Sequence, residues 1–425
     1  MTTTLSPTGL SEQPKSTWFN NLCRTLVHKR FSSSNSGVLQ IVDALGTTVF
    51  GEDGIRAEVQ VHDLAFYREL ALGGHMGAAR SYLAGFWTSP DLTAVFQWFI
   101  RYQSQQDTLD TGIVNFALAR ARWVHQKRAN TIRGSKKNIA EHYDLGNDLF
   151  ETFLDPSMTY SCAFYENEDT TLEEAQRAKL ERICRKLDLG PSDHLLEIGT
   201  GWGSFAIHAA SNHGCRVTTT TISEEQHALA TQRISKAGLS DRITVLLQDY
   251  RTLEGCYDKL ASIEMIEAVG AEFIPTYVET CSRLLKPDGL MCLQAITFPD
   301  QHFHEYVKRS DFIQTYVFPG GCLVSLAALT EAVKERTNLK MTHLEDIGHH
   351  YAVTLRDWYD RFLTTLDEVR TLGYSERFIR LWTYYLCYCE AGFTEGRLGT
   401  LQLVYAKPSY RPARFRPSHE PRDAK

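Results

Sequence analysis

From about Ser192 onward, short apolar runs alternate with segments whose apolar positions recur every three to four residues. HLLEIGTG reads as a strand and is followed by a helical run from Trp202 to about His213. CRVTTTTI is a second strand, and SEEQHALATQRISKAG a second helix with Ser223 as its N-cap and acidic residues in the first turn. ITVLLQD, LASIEMIEA and GLMCLQAIT continue as strands with helices between them. A long helical stretch from Leu355 to about Glu390 precedes a last strand, LGTLQLVYAK. Such alternation predicts a parallel, doubly wound sheet that binds ligands at the carboxyl ends of its strands.

The pattern before this region is different. TWFNNLCRTLVHKRF sets Trp18, Phe19, Leu22 and Leu26 at helical spacing, which predicts a core helix with a charged outer face. The alternative is a helix lying on a membrane surface. VLQIVDALGTTVFG and IRAEVQVHD, punctuated by Gly46, Gly51 and Gly54, alternate as strands and hairpins. Helical patterns follow in AARSYLAGFW and DLTAVFQWFIRYQ, ending near Tyr102. The expected organisation is a flexible tail (1–16), a smaller α+β domain of lipid-binding type (17–118), a linker (119–137), a catalytic α/β domain (138–408) and a disordered basic tail (409–425).

Composition narrows the setting. The chain has 425 residues, 43% hydrophobic and 23% charged, which are ordinary globular values. No uncharged apolar run approaches the ~18 residues of a spanning helix, and MTTTLSPTGLSEQPKS lacks the features of a secretory signal. The 10 cysteines are scattered without C-x-x-C pairs, so a reduced, cytoplasmic setting is expected and no metal site. The formal charge of −6 conceals one basic run, Arg120, Arg122, Lys127, Arg128, Arg133, Lys136 and Lys137, with no acid among them. It is either a solvated helix end or a contact for acidic phospholipid headgroups, where each cation contributes ~1 kcal/mol. No recognition motif accompanies it, so nucleic acid is not an expected partner.

The chemistry centres on LLEIGTGWGSFA. Gly199, Gly201 and Gly203 lie between a strand and a helix, where glycine permits a tight turn and close backbone approach to a ligand. The spacing is G-x-G-x-G rather than the dinucleotide G-x-G-x-x-G, and Glu197 precedes it on the strand. This resembles the first motif of class I S-adenosylmethionine (SAM)-dependent methyltransferases, in which an acidic residue can neutralise the methionine ammonium. Thr221 and Gln226 can hydrogen-bond the ribose hydroxyls in place of the usual acid, and Asp249 is either the partner of the adenine amino group or a solvated strand-end carboxylate.

Several further blocks, in order, resemble the cyclopropane-fatty-acyl-phospholipid synthase family, which includes mycolic acid cyclopropane synthases: NIAEHYDLGNDLFETFLDPSMTYSCAFY, VTTTTISEEQ, MIEAVG, SDFIQTYVFPGGCLVSL, GHHYAVTLRDWYDRF and TYYLCYCEAGF. The resemblance spans residues 138 to about 394 and extends weakly to SYLAGFWTSPDL. It implies a Rossmann-like class I methyltransferase fold, with a mostly parallel seven-stranded sheet and an antiparallel edge strand, carrying a smaller N-terminal α+β domain. It implies methyl transfer from SAM to a cis double bond in a phospholipid acyl chain, then loss of a proton from the carbocation to a bound bicarbonate ion as a ring closes. A family dimer and peripheral contact with a membrane are implied too. The matching anion-site positions are Cys162, as a weak thiol donor, Glu267, Gln294, the Ile296 N–H and Tyr351; Tyr160, Ser161, Gly199, Gly201, Thr221, Ile222 and Gln226 match SAM contacts. Tyr316, Phe318 and Trp358 are either cation-facing aromatics or plain core. Well-known members carry His where this chain has Gln294, and an amide can hold an anion but cannot relay a proton as imidazole can. A methylene- or methyl-branched product is therefore a second expectation beside the ring. A methyltransferase acting on a small molecule and a lipid-binding protein without activity are further alternatives. Acyl length, double-bond position and headgroup stay open.

Overall fold

A computed structural model describes residues 18–105 and 146–412. The basic run from Arg120 to Lys137 and the block NIAEHYDL lie outside them.

The first part is built from α1 (Trp18–Phe31), β1 (Val38–Asp43), β2 (Gly46–Phe50), β3 (Arg56–Val61), α2 (Ala65–Leu83), β4 (Trp87–Thr88) and α3 (Leu92–Gln105). Its four strands are ordered β2-β1-β3-β4, with β1 antiparallel to β2 and parallel to β3. The buried face of α1 is Asn20, Cys23, Val27 and Phe31. Trp18 (77% exposed), Leu22 (44%) and Leu26 (54%) instead stand in solvent, so the expected core stripe of this helix is its outer face. Alternation along β1 and β3 buries Leu39, Ile41, Ala57 and Val59 beneath α3, where Trp98 stacks on Tyr102 at 5.2 Å and donates its indole N–H to the Gly37 carbonyl at 3.0 Å.

The second part opens with α4 (Asn147–Phe153) and α5 (Leu172–Lys186), the latter started by a capping box between Thr171 and Glu174. There follow β5 (His194–Ile198), α6 (Ser204–His213), β6 (Arg216–Thr221), α7 (Glu224–Lys236), β7 (Ile243–Leu247), β8 (Tyr257–Ile263), α8 (Ile274–Leu284) and β9 (Leu285–Thr297). Then come α9 (Asp300–Tyr306), α10 (Leu326–Arg336), β10 (Lys340–Asp346), α11 (Gly348–Thr364), α12 (Leu366–Thr371), α13 (Glu376–Thr394) and β11 (Gly399–Ala406). Ser223 caps α7 as expected, accepting the Gln226 N–H at 3.2 Å.

The seven strands are ordered β10-β11-β9-β8-β5-β6-β7, the doubly wound methyltransferase sheet. The antiparallel strand is not the edge, however: β11 runs antiparallel between β9 and β10. Burial explains the placement. β11 is buried along nearly its whole length and needs covering on both sides, whereas β10, KMTHLED, is mostly exposed and suits an edge. That polarity also hid β10 from a pattern-based reading. The expected single long helix after Leu355 is three, α11 to α13, broken at Thr365 and again around Gly373, whose φ is 94°. LASIEMIEA is a strand only to Ile263, after which Glu264 takes a left-handed φ of 49°. At the other end, Ser409 donates to the Pro287 carbonyl at 3.0 Å, so the chain stays attached beyond residue 408.

The two parts share one aromatic core. Phe96 and Tyr82 meet Tyr384 of α13 at 4.7 and 5.3 Å between ring centroids. Polar bonds lock the same joint: the Thr93 hydroxyl and the Arg356 guanidinium both donate to Glu390, and Arg101 and Gln97 donate to Glu395.

Candidate active site

The glycine turn leaves β5 with positive φ at Gly199, Gly201 and Gly203, at 102°, 51° and 86°. A side chain at Gly199 would also meet Met265 Cβ at 3.0 Å, so both conformation and contact require glycine there. Glu197 is buried beneath the turn and accepts the Thr219 hydroxyl at 2.6 Å. Burial pushes its carboxyl up to about 8 against the pull of Thr219 and Lys179. Thr221 donates its hydroxyl to the Gln226 side-chain carbonyl at 2.8 Å, and both face the same cavity as Ile222 and Asp249. The Asp249 carboxylate is gripped by the guanidinium of Arg251 at 2.6 and 2.9 Å. Tyr160 shares a 2.7 Å hydrogen bond with the Tyr385 hydroxyl, and the Ser161 hydroxyl receives Lys179 Nζ at 2.7 Å. Lys179 is fully buried on α5, and burial brings its ammonium down to about 8. Nothing in its helical spacing marked it as part of a site.

Of the five residues matched to the anion site, Cys162, Gln294 and Tyr351 meet around a sixth that the sequence reading passed over, while Ile296 and Glu267 pair with each other. Glu264 Oε1 accepts the Cys162 backbone N–H at 2.9 Å and Gln294 Nε2 at 2.7 Å, and Oε2 accepts the Tyr351 hydroxyl at 2.7 Å. Cys162 therefore meets Glu264 through its main chain. Its thiol points at the Ala163 and Ile347 carbonyls, 3.2 and 3.6 Å away, and not at the anion position. Gln294 is held in turn by Gln402, whose amide nitrogen donates to Gln294 Oε1 at 2.9 Å while its own oxygen receives Lys186. The Ile296 N–H goes to Glu267 Oε1 at 2.5 Å, and Glu267 Oε2 is buried without a partner. Burial, then the charge of Glu264, push the Glu267 carboxyl up to about 8. Burial also raises Glu264, but Tyr351, the Cys162 N–H and Gln294 all pull the other way. The donors expected to hold bicarbonate are thus engaged by the protein's own carboxylates, and no bicarbonate step is derived from this arrangement.

One cavity of about 1640 Å³ joins these features. It runs from the glycine turn past Glu264, Glu267 and Tyr351, along Phe318, Tyr384, Tyr385 and Phe393, to Leu26, Phe66, Leu70 and Phe99 of the first part. Phe318 faces it; Tyr316 and Trp358 are not part of its wall, and Trp358 is a fully buried core residue.

A family model described as mycolic acid cyclopropane synthetase matches residues 130–403. The chain belongs to that family. A tuberculostearic acid methyltransferase of Mycobacterium tuberculosis is 37% identical over 86% of this chain and 86% of its own. A cyclopropane-fatty-acyl-phospholipid synthase of Escherichia coli is 36% identical over 83% of this chain and 88% of its own. Among solved structures, a mycolic acid cyclopropane synthase complexed with SAH and CTAB superposes with a TM-score of 0.60 at 31% identity, covering 64% of this chain and 98% of that one. A coclaurine N-methyltransferase with SAH, at 19% identity and a TM-score of 0.58, shares the fold alone. Members of the cyclopropane synthetase family with these relatives are SAM-dependent methyltransferases, and so is this chain.

Outside the site, Cys184, His208 and His213 bring possible ligand atoms within 4.8 Å of one another. Glu181 accepts from both histidines at 3.2 and 3.0 Å, which accounts for their position without a metal. Among the described residues, no helix is long and apolar enough to cross a membrane.

Proposed function

We propose that this enzyme transfers the SAM methyl group to a cis double bond in a long unsaturated acyl chain carried by a phospholipid. The observation that carries this reading is the cavity: it begins at the glycine turn and continues, with mainly apolar and aromatic walls, into the N-terminal part, a volume and chemistry suited to an acyl chain. SAM supplies an electrophilic methyl on a sulfonium. Glu197 is placed to neutralise its ammonium, while Gly199, Gly201, Gly203, Thr221, Ile222, Gln226, Asp249, Tyr160 and Ser161 supply the turn, hydrogen bonds and walls around it. The alkene is a weak nucleophile, and its attack leaves a carbocation that water would trap. The aromatic rings of Tyr351, Tyr385, Phe318 and Phe393 in the wall stabilise that charge and exclude water.

Ring closure is the first expectation for the product. A methylene- or methyl-branched chain is the second reading. It is favoured by Gln294, which is fixed as a donor to Glu264 and has no proton to relay, and by the likeness to a methyltransferase named for tuberculostearic acid. Incubation with SAM and mono-unsaturated phospholipid vesicles, followed by gas chromatography–mass spectrometry and NMR of the fatty methyl esters, separates these outcomes. Cyclopropane protons support the first and vinylidene or methyl-branch signals the second, whereas no mass gain despite SAM binding overturns the acceptor.

Peripheral membrane contact belongs to the same proposal. Trp18, Leu22 and Leu26 form an exposed apolar stripe on α1, with Lys29 and Arg30 in its last turn, and Leu26 and Arg30 also line the cavity. A lipid entering from a bilayer would meet this helix first. A homodimer rests on the resemblance alone.

A further inference from the structure

Glu264 occupies a position that a side chain enters at a cost. Its φ of 49° is left-handed, a region that strains non-glycine residues and that glycine would fill without strain. Glu264 is partly buried and lines the cavity beside Met265, Glu267 and Tyr351. Three donors converge on it at 2.7–2.9 Å: the Cys162 N–H, Gln294 and Tyr351. A carboxylate offers about four acceptor sites, so one site on Oε2 is left unused by the described residues. Its neighbour Glu267 has one donor and an orphaned oxygen. The carboxyl with three donors carries the charge, and that charge together with burial raises Glu267 to about 8, so Glu267 keeps its proton at neutral pH.

We propose that the Glu264 carboxylate is the enzyme's built-in base, standing where a bound bicarbonate ion was expected and receiving the proton that the carbocation loses. The proposal rests on the alkene-methylation reading given above. The alkene π pair forms the new bond to the methyl carbon, and the carbon–sulfur pair leaves with sulfur. The cation, directly or after a 1,2-hydride shift, then loses a proton from the new methyl group to Glu264. The released C–H pair closes the ring in the first case and forms an exomethylene double bond in the second. No oxidant or reductant enters. Gln294 and Tyr351 are positioning residues that keep the carboxylate ionised and aimed, and the chain from Lys186 through Gln402 fixes the amide orientation of Gln294.

Three proteins test this in buffer freed of carbon dioxide: the native chain, Glu264→Gly and Glu264→Gln. The glycine variant relieves the backbone and empties the cradle; the glutamine variant fills it with a group that is no base. The native enzyme is expected to turn over equally with and without added bicarbonate. Glu264→Gly should lose at least about 100-fold in rate and recover with millimolar bicarbonate, whereas Glu264→Gln should be inactive and stay so. Line broadening of ¹³C-bicarbonate in the presence of SAH gives a readout that needs no substrate: it should appear with Glu264→Gly and not with the native protein. Bicarbonate dependence or bicarbonate binding by the native enzyme overturns the proposal, as does an active Glu264→Gln or a folded, SAM-binding Glu264→Gly that no anion rescues. If the acceptor reading itself is wrong, the native protein makes no lipid product, and the binding experiment still decides what fills the cradle.

Discussion

At the scale of single residues, the site is governed by where buried carboxyls keep or lose protons. In the ligand-free protein Glu197 holds its proton up to about pH 8, because burial outweighs the Thr219 hydroxyl. An ammonium placed beside it favours the ionised form, so SAM binding should expel that proton whenever the pH is below about 8. Affinity should therefore fall as pH drops, by at most about tenfold per unit. Calorimetry at pH 7 in buffers of different ionisation enthalpy should show about one proton released by native protein and a flattened pH profile for Glu197→Gln; equal release by both would remove Glu197 from the ammonium site. The glycine turn and Glu197 were legible in the sequence because spacing and residue type carry their chemistry. Cys162, Gln294, Ile296 and Tyr351 were singled out through ordered blocks of resemblance, and the structure turns the Cys162 thiol toward the Ala163 and Ile347 carbonyls. Glu264 was not legible at all. In LASIEMIEA it looks like one more strand position, and only the left-handed backbone after Ile263 turns it into the cavity.

At the scale of elements, α1 shows what periodicity can and cannot tell. Two stripes interleave on it, Asn20–Cys23–Val27–Phe31 and Trp18–Leu22–Leu26, and both have helical spacing. The helix was legible; the buried face was not, since the choice depends on how the strands pack beneath it. β10 was missed for the opposite reason, having too little apolar pattern to announce a strand. If the exposed stripe of α1 touches lipid, Trp18→Ser with Leu22→Ser should lower vesicle binding by about 10–100-fold, the range set by losing roughly 1.5–3 kcal/mol of apolar burial per large side chain with only part of each inserted. Folding should be nearly untouched, because both residues are exposed. Sedimentation with neutral and anionic vesicles, beside a melting curve, checks both statements. Unchanged binding would assign the stripe to something other than a bilayer, and equal binding of native protein to both vesicle types would exclude an electrostatic share from the basic run.

At the scale of the whole molecule, the proposed acyl site depends on two parts of the chain being held together. The doubly wound sheet supplies the glycine turn and the buried acids, but Leu26, Phe66, Leu70 and Phe99 at the far end of the cavity come from the N-terminal part. What joins them is α3 against α13, through the Phe96–Tyr384 contact and the buried Glu390, which takes the Thr93 hydroxyl at 2.9 Å and the Arg356 guanidinium at 2.7 Å. Glu390→Ala would leave a buried hydroxyl and a half-buried guanidinium without their acceptor, at a cost of about 2–4 kcal/mol after allowing for Arg356's exposure. The expected consequence is asymmetric. The proposed SAM contacts all belong to the second part of the chain, so the SAM dissociation constant should change less than twofold. The lipid KM should rise several-fold as the cavity walls part, and Glu390→Gln, which keeps an acceptor for one partner, should recover some of it. Equal losses in both constants would mean that the joint supports the whole fold. No loss in either would mean that the acyl chain does not use the N-terminal wall, and the cavity's reach beyond Tyr384 would then have no part in choosing the substrate.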